Sequence, residues 1–188
     1  MRWLLALCLT SQLLLNSHAV AQDNRAPQVR IDTNMGSFTL ELYHEASPVT
    51  VANFLRYVEE GFYDNTIFHR IIRRFVVQGG GFTPDMVKKE THDPIVNESK
   101  NRLYNERFTV AMARTDDPDS ATSQFYINLR MNSSLDYRMG KLGYTVFGTV
   151  IDGQEVVYDM SFVETGVVAG MEDVPVKPVI LIKAERIR

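Results

Sequence analysis

The sequence predicts a mainly β domain that closes on itself, and three observations carry the prediction. Short apolar and β-branched runs recur along the chain, at strand length rather than helix length. Only two stretches show helical periodicity. Many short strands leave exposed edges unless the sheet closes, so the pattern implies a sandwich or a barrel.

The elements follow in order. Residues 1–21 read as a secretory signal, with Arg2 as the positive region, Trp3 to Leu15 as the apolar core and Ala19-Val20-Ala21 as the cleavage site. That core is shorter than the about 20 residues a membrane helix needs. Leu7 precedes Cys8 where lipidation requires a small residue, so Cys8 is not read as a lipid anchor. Cleavage leaves 167 of 188 residues and removes the single cysteine and the single tryptophan. The exported domain therefore relies on its core and not on disulfides. Losing Arg2 leaves 19 basic against 23 acidic residues, a formal net charge of −4. Neither nucleic acid nor, after cleavage, a membrane is expected as a partner.

Residues 22–28 read as a flexible lead-in and 29–188 as one domain, since no repeat or composition shift marks a second. Val29–Thr33 and Ser37–Leu42, joined through Asn34-Met35-Gly36, form a hairpin. A helix follows, with Ser47 as N-cap, Pro48 at the first helical position and a stripe of Val51, Phe54, Leu55 and Val58. Gly61 ends it. Two strands occupy residues 68–79; by period two, Phe68, Arg70 and Ile72 share one face and His69 and Ile71 the other. Residues 83–105 are a polar, turn-rich excursion with one short strand. Further strands fall at 108–113, 124–129, 144–150 and 179–184, and the second helix at Gln154–Phe162.

Arg70 stands alone in an apolar strand, where a charge needs a partner or a wet cleft. Arginine stays protonated in proteins, so it acts as a fixed fork of donors and not as a base. Gln78 closes the second strand eight residues later, before Gly79-Gly80-Gly81. Taken singly, each has a structural alternative: a snorkelling arginine, a turn-satisfying glutamine, and core aromatics at Phe75 and Tyr126.

Three ordered blocks change that balance. Phe68–Gly80, then Ala111-Met112-Ala113-Arg114 with Ser123–Ile127, then Val146–Val150 together resemble the cyclophilins, the peptidyl-prolyl cis–trans isomerases. The resemblance runs from about Val29 to the C-terminus, and the wording around Arg114 and Gln124 resembles the bacterial exported branch. It implies a closed eight-stranded antiparallel β-barrel with a helix capping each open end. It also implies Arg70 as catalytic donor and Gln78 as the glutamine that orients it. Phe75, Val76, Tyr126 and Leu135 match the proline pocket, and Ala113, Arg114 and Gln124 the extended peptide groove. Tyr144 stands where many members carry histidine. The implied partners are proline-containing segments of unfolded or extended polypeptides, met by a monomer in the periplasm, or outside the cell in a eukaryote.

No cofactor is implied, and His44, His69 and His92 lack metal-ligand spacing. Three departures stand out. Arg73-Arg74 replaces the usual Pro-Gly, and with Arg70 it draws an acidic partner or is simply solvated. Ser134 replaces the tryptophan that helps hold cyclosporin, so weak cyclosporin binding is expected. Val76 replaces methionine, which shortens the pocket floor. A non-catalytic prolyl-peptide binding module or chaperone on the same scaffold is the alternative. Asn97 and Asn132 head formal glycosylation sequons.

Overall fold

The structure is a computed structural model that describes residues 25–188. The signal segment and the start of the lead-in lie outside the described residues. The rest of the lead-in is tied down: Leu42 donates to the Pro27 carbonyl at 2.9 Å, and Arg188 Nε donates to that of Ala26 at 2.9 Å. The ordered domain thus begins before Val29.

Eleven strands and two α-helices are described. The strands are β1 (Gln28–Thr33), β2 (Gly36–Leu42), β3 (Thr66–Ile67), β4 (Arg70–Ile72), β5 (Val76–Gly79) and β6 (Thr109–Met112). They continue with β7 (Phe125–Asn128), β8 (Val146–Asp152), β9 (Thr165–Val168), β10 (Met171–Pro175) and β11 (Ile180–Arg186). The helices are α1 (Pro48–Glu59) and α2 (Gln154–Met160). The main sheet runs β3-β11-β1-β2-β8-β6-β7-β5-β4, and the pairings along it are antiparallel. Its two outermost members are one run of chain, interrupted only by Phe68 and His69. Counted once, that run gives the eight strands expected, and the order returns to its starting point.

Inside, Phe54 of α1 meets Tyr63, Phe125 and Phe147 at centroid distances of 5.2, 5.5 and 5.1 Å. Phe38, Leu40 and Leu42 of β2 and Val157 and Met160 of α2 are buried in the same core. Burial of these side chains is the main driving force, at roughly 1.5–3 kcal/mol each.

The interruption at residues 68–69 overturns the period-two reading. Phe68 and Ile71 both belong to the core, while Arg70 lies outside it. Phe68 is turned in because it fills the space above Gly79, where a Cβ would come within 2.7 Å of its ring.

Ser47 holds the N-cap position of α1 without capping it. Its hydroxyl donates to the Val146 carbonyl at 2.8 Å. The cap comes from Glu98, which accepts from the backbone N–H groups of Val49 and Thr50 at 3.1 and 2.9 Å and from the Thr50 hydroxyl at 2.7 Å. A carboxylate at a helix N-terminus meets both the free donors and the dipole. Glu98 thereby pins the 83–105 excursion to the barrel. That excursion contains a single 3₁₀ turn at Ser99–Asn101 and isolated bridges, not the strand expected. The β9–β10 hairpin was not legible either: only Val174 and Pro175 in it are buried, which leaves no alternating apolar pattern.

Candidate active site

One cross-strand row on the outer barrel wall builds the site. Arg70 lies opposite Gln78, Gln78 opposite Tyr126, and Tyr126 opposite Ala111. A second apolar cluster forms there, separate from the barrel interior: Val76, Ala111, Tyr126 and Val146 are buried, with Phe75, Ala113, Leu135 and Tyr144 packed against them. These side chains open into a cleft of about 250 Å³ lined by Arg70, Phe75, Val76, Gln78, Ala113, Arg114, Tyr126, Leu135 and Tyr144. Every site residue expected from the sequence lines this cleft except Gln124.

Gln124 lies in an adjoining hollow of about 180 Å³, which shares Gln78, Ala113 and Arg114 with the cleft. The two glutamines link the spaces. Gln78 Nε2 donates to Gln124 Oε1 at 3.1 Å, and Arg70 Nη1 donates to Gln78 Oε1 at 3.4 Å. Among the described residues Arg70 forms no ion pair, so most of its five donors stay available at the cleft edge.

The glycine triplet makes room for this arrangement. A Cβ on Gly81 would fall 2.5 Å from Gln124 Cγ. Gly80 takes φ +80°, a conformation costly for other residues, and its Cα face lies against Tyr63 and Phe125.

Behind the cleft lies a polar network that the sequence did not disclose. Tyr126 donates its hydroxyl to Asn105 Oδ1 at 2.8 Å. Asn105 donates to Asp136 through its backbone N–H and Nδ2, at 2.7 and 2.9 Å. Asn128 Nδ2 donates to Asn105 Oδ1 at 3.2 Å, and Asn132 Nδ2 donates to Asn128 Oδ1 at 2.7 Å and to the Phe75 carbonyl at 3.0 Å. The amides at 105, 128 and 132 beside apolar strand residues were the only signal. Burial, and after it the nearby Tyr144 and Asp136, hold the Tyr126 phenol well above its ordinary range. Its ring therefore serves as a neutral apolar wall with the hydroxyl turned away.

The same network removes one sequon reading. Asn132 is buried with Nδ2 committed to two acceptors, so it is structural. Asn97 Nδ2 is likewise held, by the Pro118 and Gly143 carbonyls at 3.3 and 3.0 Å.

Arg114 contributes a wall more than a free cation. Its guanidinium donates to the carbonyls of Thr115, Leu142 and Gly143 at 2.7, 3.1 and 3.2 Å and lies 4.5 Å from the Tyr144 ring centre. Ser134 is exposed and outside the cleft lining. Among the described residues no cluster of three or more metal-ligating side chains occurs, and no helix is long and apolar enough to cross a membrane.

The antiparallel sheet thus carries on its outer wall a cleft with aromatic and aliphatic sides and a cation at its edge. Sequence comparison places the chain further. Residues 28–186 match the family model described as cyclophilin type peptidyl-prolyl cis-trans isomerase/CLD. A peptidyl-prolyl cis-trans isomerase of Streptomyces antibioticus is 51% identical over 160 residues, covering 84% of this chain and 96% of its own. Peptidyl-prolyl cis-trans isomerase B of Escherichia coli is 47% identical over 156 residues, covering 81% and 95%. The crystal structure of a cyclophilin type isomerase of Cryptosporidium parvum, determined in the presence of the dipeptide Ala-Pro, superposes with a TM-score of 0.74. It is 28% identical and covers 86% of this chain and 99% of its own. The chain belongs to the cyclophilin-type peptidyl-prolyl isomerases, and its activity is the cis–trans isomerisation of X–Pro bonds.

Proposed function

We propose that the outer cleft performs this isomerisation on proline-containing segments of exported polypeptides, with Arg70 as the catalytic donor. The observation that carries the reading is a guanidinium with no ion pair among the described residues, steadied by Gln78, at the edge of a pocket walled by Phe75, Tyr126 and Leu135.

The barrier to X–Pro rotation is amide resonance, about 18–20 kcal/mol. In the twisted transition state the proline nitrogen regains a lone pair that neither planar form offers. A catalyst therefore needs no nucleophile or base; it must hold the twisted form better than either ground state. The pocket clamps the proline ring, so rotation is confined to the chain before it. Arg70 donates to the nitrogen lone pair as it develops. A charge-assisted hydrogen bond of about 1.5–3 kcal/mol made only in that state accelerates rotation about 10- to 150-fold. The remainder comes from positioning, with Ala113 and Gln124 holding the residues before proline in the adjoining hollow.

Export rests on the signal-like residues 1–21. The site of action is then the periplasm, where a monomer assists folding of client chains. Cyclosporin binds weakly, because Ser134 offers neither apolar area nor an indole donor. The deciding experiment is exchange NMR on a short X–Pro peptide with the protein from Gln22 and with Arg70→Ala. Acceleration that collapses in a folded, peptide-binding variant supports the assignment; unchanged exchange in the variant sinks it. Placement is checked by following the full-length protein into a periplasmic fraction with its new N-terminus sequenced.

A further inference from the structure

Beside the cleft, at the start of β5, four arginines gather that form no ion pair with any of the described residues. Arg73 and Arg74 form the β4–β5 turn, and Phe75, which follows, lines the cleft. Arg130 follows Leu129, whose N–H donates to the Phe75 carbonyl at 2.9 Å, so Arg74 and Arg130 flank one cross-strand contact. Arg107 precedes Phe108, whose N–H donates to the Asn128 carbonyl at 2.7 Å, which places it at the same end of the sheet.

Aromatic rings connect these cations. The Arg73 guanidinium carbon lies 4.5 Å from the Phe162 ring centre, Phe162 lies 5.0 Å from Tyr158, and the Arg107 carbon lies 5.4 Å from Tyr158 and 4.5 Å from Phe108. The result is a continuous ribbon of cation, ring, ring and cation. Stacking holds a guanidinium by its face and leaves its in-plane N–H edge free for carboxylates. Tyr158 and Phe162 are about half exposed, which gives the ribbon an apolar floor. Glu106, Glu155 and Asp159 are near in sequence, yet none pairs with these arginines.

We infer that this rim docks acidic segments of the polypeptide whose proline occupies the cleft. The inference rests on the cleft's reading as a prolyl-peptide site and adds a substrate class to it. The hollow containing Gln124 lies at the Gln78–Gly81 end of β5, and the arginine rim lies at the Phe75 end. A peptide lying across both leaves the cleft on the rim side with the residues that follow proline. Arg73 and Arg74 immediately precede the cleft residue Phe75, so carboxylates a few extended residues after proline come within reach of the rim. An acidic peptide fits better than a nucleic acid. The chain without its signal carries a net charge of −4, which opposes long polyanions, while a short segment sees only the local cations.

The test uses the protein from Gln22 and two peptides with one X–Pro core. One carries a run of Glu beginning three residues after proline; the other carries Gln at the same positions. At low salt the Glu peptide should show kcat/KM about five- to thirtyfold higher, a margin that shrinks as salt screens the contacts. The double variant Arg73→Gln with Arg107→Gln should abolish the preference while leaving turnover of the Gln peptide unchanged, which shows the fold and cleft intact. Equal acceleration of the two peptides, or a preference that survives the double variant, overturns the rim. Ring resonances of Tyr158 and Phe162 report docking independently of catalysis. Glu-specific shifts without acceleration of either peptide support the rim and count against the isomerase assignment. A rim that shifts with a single-stranded oligonucleotide and not with the Glu peptide overturns the proposal.

Discussion

Arg70 donates a hydrogen bond to Gln78 directly across the β4–β5 ladder and makes no ion pair among the described residues. A carboxylate partner would hold the guanidinium more firmly but would spend its charge. Glutamine orients the fork with a neutral acceptor and leaves the charge for the substrate. Substituting Gln78→Leu should therefore lower kcat/KM less than Arg70→Ala, which loses roughly 10- to 150-fold. Arg70→Lys should not restore activity, since an ammonium lacks the planar fork. Exchange NMR on one peptide ranks the three variants.

Tyr126 presents its ring to the cleft and its hydroxyl to Asn105. Tyr126→Phe should leave kcat/KM within about twofold while costing roughly 1 kcal/mol of stability, because a buried acceptor loses a partner. Tyr126→Ala should lose peptide affinity outright. Urea unfolding and peptide titration separate the two effects.

His69 is buried against Phe82, with ring centres 4.6 Å apart and Nδ1 unpartnered. Burial, with a smaller contribution from Arg70, lowers its pKa from 6.5 to about 4. The unfolded chain then binds a proton that the folded one refuses between those values, so stability falls as pH drops through that window. The loss approaches at most about 3 kcal/mol near pH 4 and levels off below it. His69→Gln should flatten this limb, read as urea midpoints between pH 7 and pH 4.

Glu98 caps α1 from 48 residues away in sequence. Glu98→Ala should cost about 1–2 kcal/mol, and Glu98→Gln less, since one amide oxygen still accepts. Hydrogen exchange at the Val49 and Thr50 amides should rise in both variants, and most in the alanine one.

Arg74 takes φ +59°, the left-handed region that favours glycine. Arg74→Gly should raise stability by up to about 1 kcal/mol, the relief of strain being partly offset by a more flexible unfolded chain. Thermal unfolding of the variant measures it.

Much of this was legible because strong local patterns carried it. The β1–β2 hairpin, α1 and the strands around Arg70 and Tyr126 each announce themselves by alternation, capping residues or turn glycines. What stayed hidden depends on contacts remote in sequence. Ser47 satisfies every local rule for an N-cap, and only the fold brings Glu98 to take its place. Period two predicted Arg70 and Phe68 on one face; the break between β3 and β4 separates them. Asn105, Asn128 and Asn132 look like loop and strand-end amides until the fold stacks them behind Tyr126. The cleft itself was recovered from ordered motif blocks, because no single residue in it distinguishes a site from a core.

Barrel closure at Phe68 and His69 has a consequence for how activity is acquired. β4 pairs with β5 a few residues downstream, whereas β3 pairs with β11, joining Ile67 to Ile180 across 113 residues of chain. Such long-range pairing is slow to form, because loop entropy is lost before the contact rewards it. Arg70 sits three residues from that seam. A nascent chain can assemble the β4–β5 hairpin early, yet the β3–β11 pairing beside it waits until β11 has been synthesised and docked. The onset of isomerase activity during refolding is therefore a readout of the last long-range strand to close, and a chain lacking β11 should be synthesised silent.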